Sequence, residues 1–561
     1  MERRHLGRRV LALGVVLAAV GTATAGHTGA TTEPGGTQTS GGTLVFGVSN
    51  DPRILDPALA SDGESLRVSG QIFETLVTTA PGSTEVVPLL ATEWSASDDG
   101  LDWTFELQSG VTFHDGEPFN AAAVCFNFDR WYNFAGPLQL NSGAYYWRVI
   151  FGGFAANEPD SDAPETSLYE SCEVVDDDTV ILHLTAPSAA FLSGLVLPPF
   201  SIASPKALTD YDADAASLDP EGNPVPQGTF GTEHPIGTGP LMFDEWIRND
   251  RLTLTRFDDY WGAPSLLDEV IFRPIPDNAA RLQALQTGEI DGYDLVDPQD
   301  RETIAADSEL QLIERPSFNV GYVAFNQTFP PLENIDVRRA IAHALNRQAV
   351  IDNVYGDSGE VPVVFMPPSV QGWTDDVTIY DYDPDEARAI LEASGLELPI
   401  AIDFWYPADV SRPYMPDPRR IAEAFASDLG EVGFEVNLQS APWTPDYLDA
   451  ALSGQAAVHL LGQTGDFGDP ETFVGTFFRT ESPQWGFENP ELRQALEDAL
   501  RITDVDERTA AYEEINRTIM DFLPGVPFAH STSNLAFRSN VEGFVASPVT
   551  TENFATVSIE E

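Results

Sequence analysis

A single arginine stands in a proline-rich stretch of a chain that is otherwise strongly acidic. The stretch is YPADVSRPYMPDP, residues 406–418, and Arg412 directly precedes Pro413. Proline removes backbone N–H donors and biases the residue before it toward extended geometry, so the stretch predicts a short, stiff loop. A loop that presents one guanidinium and one tyrosine, Tyr414, could hold an anion. An ordinary surface salt bridge is the alternative for Arg412.

Two acidic residues follow an apolar segment later in the chain. Asp466 and Asp469 lie in TGDFGDPETF, residues 464–473. Such a pair could be the acid and base of a glycosidase, but a chain with 88 acidic residues supplies many pairs by chance. We favour a single functional carboxylate, Asp466, at the carboxyl end of a strand, where ligands bind in α/β sheets. Asp469, followed by proline, is interpreted as a helix cap or turn residue.

Arg412 and Asp466 carry opposite charges and together suit a ligand with a charged group at each end. A carboxylate accepts an ammonium group, and arginine binds a carboxylate through two parallel hydrogen bonds. A zwitterionic peptide has both groups, and capture of terminal charges is a known mode of peptide recognition. An extended dipeptide spans roughly 7 Å between its ends, so two fixed charges at that separation would select ligand length.

The sequence signatures of catalysis and metal binding are missing. The chain has no G-x-S-x-G, H-E-x-x-H, C-x-x-C or Walker motif. Its eight histidines are scattered, without the close spacing of metal ligands. We therefore expect no catalytic residue, no metal and no cofactor. A secreted hydrolase that uses a carboxylate pair is the remote alternative.

The charge and the N-terminal sequence indicate where the protein works. The formal net charge is −59 over 561 residues, which disfavours nucleic acid and anionic lipid as partners. Arginines, a short apolar run and an A-x-A site predict a signal peptide at residues 1–25, exported by the Sec or twin-arginine route. Residues 26–42 should be a flexible leader. Without a cysteine near the cleavage site no lipid anchor is predicted, so the mature protein should lie in the periplasm or at the cell surface.

The chain has two cysteines, Cys125 and Cys172, both in its first third. An even pair in an oxidising compartment predicts a disulfide bond. Two buried free thiols are the alternative.

The length of the chain and the order of its predicted strands and helices indicate two lobes. Single hydrophobic cores stop growing near ~250–300 residues. Extended segments dominate the first part of the chain, at residues 43–49, 102–108, 179–184, 251–257 and 269–275. Helices that begin at Asp383, Asp417, Thr444 and Asn489, each followed by proline, alternate later with extended segments 399–407, 433–439 and 456–463. The order predicts an α/β fold whose two lobes are joined by two crossings, with a ligand cleft at the hinge.

Four stretches resemble the family 5 extracellular solute-binding proteins that feed peptide and nickel ABC importers. They are residues 89–130, 234–246, 256–291 and 320–347, the first of which begins LLATEWSASDDGLDWTFELQ. The resemblance runs over residues 43–545 and implies the larger, Venus-flytrap form of the two-lobed binding-protein fold. The domains it implies are lobe I at 43–320 with an inserted subdomain at about 75–233, lobe II at 321–526, and a return to lobe I at 527–561.

Within that family the chain looks most like the dipeptide-binding branch. The stretches around SRPYMPDPRR and TGDFGDPETF are similar to those that hold the two ends of the ligand there. The resemblance implies that Arg412 binds the peptide carboxylate and Asp466 its ammonium, that Tyr414 and Trp443 line the pocket, and that Gly462 brings a backbone carbonyl close to the ligand. Core positions for Tyr414 and Trp443 are the alternative.

The implied function is that of a monomeric, extracytoplasmic binding protein that delivers dipeptides to an ABC permease without chemical change. Longer oligopeptides, a nickel chelate or an oligosaccharide are the alternative ligands. In one departure from the family pattern, Gln463 stands where tryptophan is usual, which implies a more polar wall beside Asp466.

Overall fold

The computed structural model describes residues 40–140, 143–159, 161, 163–218, 224–549 and 552–560. The signal peptide expected at residues 1–25 and almost all of the expected leader lie outside these residues. Among the described helices, none is both long and apolar enough to cross a membrane.

The described strands, in chain order, are β1 (Thr43–Val48), β2 (Val77–Thr79), β3 (Val86–Pro88), β4 (Ala91–Ala96), β5 (Asp102–Leu107), β6 (Tyr169–Val174), β7 (Thr179–Leu184), β8 (Ala216–Leu218), β9 (Pro224–Pro226), β10 (Leu241–Ile247), β11 (Arg251–Arg256), β12 (Glu269–Pro274), β13 (Gly292–Tyr293), β14 (Leu310–Arg315), β15 (Asn319–Phe325), β16 (Gly359–Glu360), β17 (Ile400–Pro407), β18 (Phe434–Ala441), β19 (Val458–Thr464), β20 (Gly525–Ser531), β21 (Ser533–Arg538), β22 (Val541–Glu542) and β23 (Ser558–Ile559). All the extended segments expected from the sequence are strands.

The described α-helices are α1 (Gly63–Ile72), α2 (Ala121–Tyr132), α3 (Tyr145–Ile150), α4 (Phe191–Gly194), α5 (Pro205–Asp210), α6 (Phe230–Glu233), α7 (Asn278–Thr287), α8 (Arg301–Ala306), α9 (Pro330–Glu333), α10 (Ile335–Ala344), α11 (Arg347–Val350), α12 (Pro384–Ser394), α13 (Pro418–Val432), α14 (Leu448–Leu452), α15 (Val474–Phe478), α16 (Pro490–Leu500) and α17 (Val505–Phe522).

Two mixed sheets divide the chain between them, in the two-lobed arrangement that the sequence predicts. The first has seven strands in the order β10-β11-β12-β1-β13-β21-β14, with β1 parallel to both of its neighbours. The second has six strands in the order β16-β20-β15-β19-β17-β18, with β17 parallel to β18 and β19. Every residue of β15 and β20 is buried, as continuous apolar strands at a sheet centre should be.

The chain passes between these two sheets twice. Residues 316–318 join β14 to β15, and Thr532 alone joins β20 to β21. Since β20 pairs with β15, the return to the first sheet comes at residue 532, whereas the expected boundary lies at residue 527. Crossings this short bring the ends of both sheets together, and a cleft between the sheets must form beside them.

A third sheet belongs to the long insertion between β1 and β10. Its order is β4-β5-β7-β6, and α2 packs against it over a core rich in aromatic side chains. A disulfide bond joins Cys125 of α2 to Cys172 of β6, with the two Cα atoms 5.3 Å apart. This bond ties the helix to the outer strand of the sheet.

Three of the four expected proline-led helices have the predicted caps. The side chains of Asp383, Asp417 and Asn489 accept backbone N–H groups at the starts of α12, α13 and α16. The fourth expectation is wrong, because Thr444 lies inside a π-helical turn, Trp443–Tyr447, rather than before a helix. The turn begins at Trp443, one residue before Thr444. The carboxylate of Asp409 accepts the N–H of Trp443 at 2.7 Å and so provides the hydrogen-bond partner that the first residue of the turn needs.

A buried ion-pair network holds the first crossing to lobe I. Arg315, the last residue of β14, donates to both carboxylate oxygens of Asp294 at 2.8 and 2.9 Å, and it also contacts Glu552. Arg67 of α1 pairs with the same two acids at 2.5 and 3.3 Å. All four side chains are at least nine-tenths buried. Their mutual pairing fixes the point from which β15 departs.

Candidate functional site

The loop between β17 and α13 is held in one shape by backbone pairing. Arg412 and Met415 exchange N–H···O bonds of 3.1 and 2.9 Å, which closes a tight turn over Pro413 and Tyr414. The hydroxyl of Ser531 donates to the carbonyl of Pro413, and that of Tyr355 donates to the carbonyl of Tyr414. The stiff loop expected from its prolines is therefore also anchored from two sides.

The guanidinium of Arg412 lies over the ring of Trp443, with its carbon 5.1 Å from the ring centroid. Among the described residues no carboxylate lies within ion-pair distance of Arg412, and its buried Nε has no hydrogen-bond partner. Trp443 itself is braced by stacking on Tyr447 at 5.9 Å. A half-buried arginine that lies over an aromatic ring and has an unused N–H donor is suited to bind an anion.

Arg412 and Trp443 face a cavity of about 570 Å³ between the two large sheets. Its wall takes residues from the parts of the chain around both sheets, with Ser49, Asn50, Arg281 and Asp297 on one side and Ser411, Arg412, Trp443 and Ser531 on the other. The volume suits a small ligand. The structure places Trp443 on the wall of this cavity, and its contact with a ligand stays a prediction.

Asp466 follows β19 and lies at the boundary with the inserted subdomain. Its backbone N–H donates to Thr472 at 2.9 Å, and its carboxylate accepts the hydroxyl of Tyr146 at 3.3 Å. Gln463 directs its amide toward the other carboxylate oxygen at 3.5 Å. No cationic side chain of the described residues pairs with Asp466. Desolvation raises the pKa of Asp466 to about 6, and the Tyr146 hydrogen bond only partly offsets that rise.

Tyr146 is a contact that the sequence did not reveal. It lies 320 residues before Asp466, on α3 of the inserted subdomain. Nothing in the local sequence of α3 signals a role at the cleft, because the contact depends on how the subdomain packs against the loop after β19. A buried tyrosine beside a partly buried acid is visible only in three dimensions.

Tyr414 is a core residue, which corrects the expectation that its side chain lines the pocket. Only 6% of it is exposed, and its ring packs on the backbone of Gly462. The Arg412–Met415 turn directs the two side chains to opposite sides, so Arg412 faces the cavity and Tyr414 faces the six-stranded sheet. Tyr414 therefore supports the loop from beneath.

Gly462 has a packing role that the sequence did not suggest. A Cβ atom at this position would lie 2.3 Å from Cδ2 of Tyr414 and 2.5 Å from the carbonyl oxygen of Val320. Only glycine lets the ring and the neighbouring strand approach so closely. A carbonyl contact from Gly462 to a ligand stays a prediction.

We expect Gly462→Ala to displace Tyr414 and with it the Arg412 loop. Overpacking of this kind costs about 1–3 kcal/mol. The variant should unfold at a lower temperature and bind ligand more weakly, measurable by thermal unfolding and calorimetry. Gly430→Ala, on α13 with open space at the Cβ position, is the matched control: it should leave binding unchanged and raise the unfolding temperature slightly, because alanine favours a helix more than glycine does. Equal unfolding temperatures for the two variants would contradict this packing role.

Asp469 serves the fold, as its interpretation as a cap predicts. Its side chain accepts the N–H of Glu471 and forms two hydrogen bonds, 2.7 and 2.9 Å, with the buried guanidinium of Arg508. Its carboxylate oxygens are already engaged by a backbone N–H and by the Arg508 guanidinium, so they are not free to contact a substrate. The geometry thus argues against a catalytic pair of Asp466 and Asp469.

Comparison with known proteins agrees with the resemblance seen in the sequence. Residues 85–485 match the model of the bacterial extracellular solute-binding proteins, family 5. The dipeptide-binding protein of Escherichia coli K12 is 33% identical over 92% of this chain and 95% of its own length. The heme-binding protein A of Haemophilus influenzae is 31% identical over 93% of each chain.

A solved structure has the same fold over nearly the whole chain. It is the periplasmic binding protein DppA of Helicobacter pylori in complex with the peptide STSA, at a TM-score of 0.76 and 27% identity, covering 93% of this chain and 99% of that one. Relatives in this family are substrate-binding proteins of transport systems that work outside the cytoplasm. The matched sequence, the two-lobed fold and the interlobe cavity lead to one assignment: this chain belongs to the family 5 bacterial extracellular solute-binding proteins.

Proposed function

We propose that this protein captures short peptides in the interlobe cavity and delivers them to an ABC permease in the membrane. The observation that carries the proposal is a pair of opposite charges without protein partners. Among the described residues, Arg412 has no carboxylate and Asp466 has no cation. A zwitterionic peptide supplies the missing partner at each end.

The preferred ligand is a dipeptide whose carboxylate binds Arg412 and whose ammonium binds Asp466. Its two charged ends lie roughly 7 Å apart when it is extended, so the closed, ligand-bound protein must hold the two side chains on either side of that span. The dipeptide-binding relative from E. coli supports this choice. Side chains of the ligand would occupy the remaining, hydrated volume and be tolerated.

Closure of the lobes about the crossings at residues 316–318 and 532 would bury both ion pairs. Such pairs stabilise a complex only when hydrogen bonds satisfy their remaining atoms. The closed protein, acting as a monomer, would then present its surface to the permease. The ligand would leave unchanged, so the protein is not an enzyme in this proposal.

Longer peptides are the second candidate. The cavity continues on the side of Arg412 into an open space of about 990 Å³, and the two share Asp297, Tyr355 and Asp409. The Helicobacter pylori relative holds the peptide STSA. A nickel chelate has less support, because no cluster of three or more metal-ligating side chains occurs among the described residues.

Calorimetric titration of the mature protein, unfolded and refolded to strip carried-over ligand, tests the proposal. The ligands are Ala-Phe, its C-terminal amide, its N-acetyl form and Ala-Phe-Ala-Phe. Tight binding of free Ala-Phe alone supports the two-ended site. Preference for the tetrapeptide would favour the second candidate, and no heat from any peptide would contradict peptide capture.

Binding should weaken in mild acid because Asp466 must be ionised to pair with an ammonium. Its pKa in the empty site is about 6, so the ionised fraction falls roughly tenfold between pH 7 and pH 5. The peptide's own termini keep their charges over most of this range. We expect Kd for Ala-Phe to rise about tenfold from pH 7 to pH 5. Asp466→Asn should bind weakly at both values, and a constant wild-type Kd would contradict the role of Asp466.

A further inference from the structure

The carboxylate of Asp466 is covered on one side by the inserted subdomain. Tyr146 lies directly against the carboxylate, donates to it at 3.3 Å and is only 6% exposed. The ring of Tyr145 meets that of Tyr146 edge-on at 5.0 Å. Aromatic side chains of α3 therefore stand beside the carboxylate that a peptide ammonium would bind.

This closure is built into a packed core. Trp147, the next residue of α3, stacks on Phe151 at 4.3 Å and donates to the carbonyl of Gly153 at 3.1 Å. From the other lobe Phe467, adjacent to Asp466, is 2% exposed and buried in the same subdomain core as Tyr146. A close-packed core of this kind has no empty space for an additional ligand residue.

The backbone after Asp466 also packs closely against the subdomain and leaves no space for a ligand residue. A Cβ atom on Gly468 would lie 2.7 Å from Cβ of Thr84, so the loop after Asp466 already touches the subdomain with its backbone. On the Arg412 side, by contrast, the cavity continues into the open space of about 990 Å³. The surroundings of the two charges thus differ: Arg412 faces the open cavity, whereas packed side chains of the subdomain cover Asp466.

We propose that Tyr146 limits the length of the ligand at its N-terminal end, because its ring covers Asp466 and leaves no path for residues that precede the ammonium-bearing one. The inference rests on the proposed function. The family fold does not fix this limit, since the Helicobacter pylori relative holds a four-residue peptide. A length limit would therefore depend on individual side chains rather than on the fold.

Two physical effects act together on a ligand extended by one residue at its N-terminus. The charged ammonium that would face Asp466 becomes a neutral amide with one N–H, which loses the charge-assisted hydrogen bonds. The added residue also lengthens the extended ligand by about 3.3–3.6 Å, which would place it where the Tyr146 ring lies. The first effect depends on Asp466 and the second on Tyr146, so a variant of Tyr146 separates them.

The test is the ratio of Kd values for Ala-Ala-Phe and Ala-Phe in refolded wild-type protein and in Tyr146→Ala. We expect wild type to bind the tripeptide at least about 100-fold more weakly, and Tyr146→Ala to reduce this ratio at least tenfold, mainly by gaining tripeptide affinity. Tyr146→Phe keeps the ring and should keep the ratio. Tyr132→Phe removes a hydroxyl elsewhere in the subdomain and is the control for its integrity. Should Tyr146→Ala not fold, Tyr146→Leu retains apolar packing and removes the outer part of the ring.

The outcomes separate this inference from the proposed function. If wild type binds no peptide, peptide capture fails and the length limit with it. If wild type prefers the dipeptide but neither smaller variant changes the ratio, peptide capture stands and the role of Tyr146 is overturned. Equal binding of both peptides by wild type also overturns the length limit.

Discussion

Arg412→Ala is expected to remove nearly all affinity for free-acid dipeptides while the protein stays folded. Removing one partner of a buried, hydrogen-bonded charge pair costs about 2–5 kcal/mol, roughly 30-fold to 5000-fold in Kd. The fold should tolerate the change, because the guanidinium makes no ion pair with a described residue and its loop is held by backbone bonds. Calorimetry with Ala-Phe and a thermal melt of each protein provide the two readouts.

Two further variants show whether the effect is specific. Arg412→Lys keeps the charge but loses the planar fork, and it should recover only part of the affinity. Arg388→Ala removes a half-exposed arginine on α12 that pairs with Asp385, and it should leave binding unchanged. An Arg412→Ala protein with wild-type affinity would remove Arg412 from the site.

Arg315→Met is expected to give the largest loss of stability in the chain. It would leave Asp294 and Glu552 buried, with Arg67 as the one cation among the described residues that still forms ion pairs with them. Breaking a buried ion pair from one side costs about 3–5 kcal/mol. The first crossing would also lose its anchor, so we expect a lower unfolding midpoint together with weaker ligand binding. Differential scanning calorimetry measures the first effect and titration the second.

Arg256→Met provides the matched comparison, since Arg256 also contacts two carboxylates but at the surface. Exposed pairs contribute little, so its unfolding midpoint should barely move. In the buried network, desolvation opposes ionisation of Asp294, but the charges of Arg315 and Arg67 outweigh it and hold its pKa well below the usual range. The stabilisation should therefore be complete above the unfolded pKa of about 3.9 and be lost only in stronger acid. Equal effects of Arg315→Met and Arg256→Met would contradict this account.

Features that depend on local sequence could be predicted. Prolines on either side of Arg412 made its loop stiff, and the Asp-Pro and Asn-Pro starts of three helices followed from capping chemistry. Asp466 lies after β19, as the apolar run followed by glycine and acid indicated. These signals lie within a few residues of the feature that they determine.

Features that depend on packing between distant segments could not be predicted. Whether Tyr414 faces the cavity or the core depends on Gly462 and on the direction of the Arg412–Met415 turn. The π-helical turn at Trp443 depends on the carboxylate of Asp409. The contact of Tyr146 with Asp466 depends on the placement of an entire subdomain.

One measurement tests the two-ended site most directly: the affinities of wild type and Arg412→Ala for Ala-Phe and for its C-terminal amide. If Arg412 binds the ligand carboxylate, the mutation should weaken Ala-Phe binding at least about 30-fold and leave the already weak binding of the amide almost unchanged. The two losses would then not add. An equal fold-loss for both ligands would mean that Arg412 acts on something other than the carboxylate, and the proposed orientation of the peptide would be wrong.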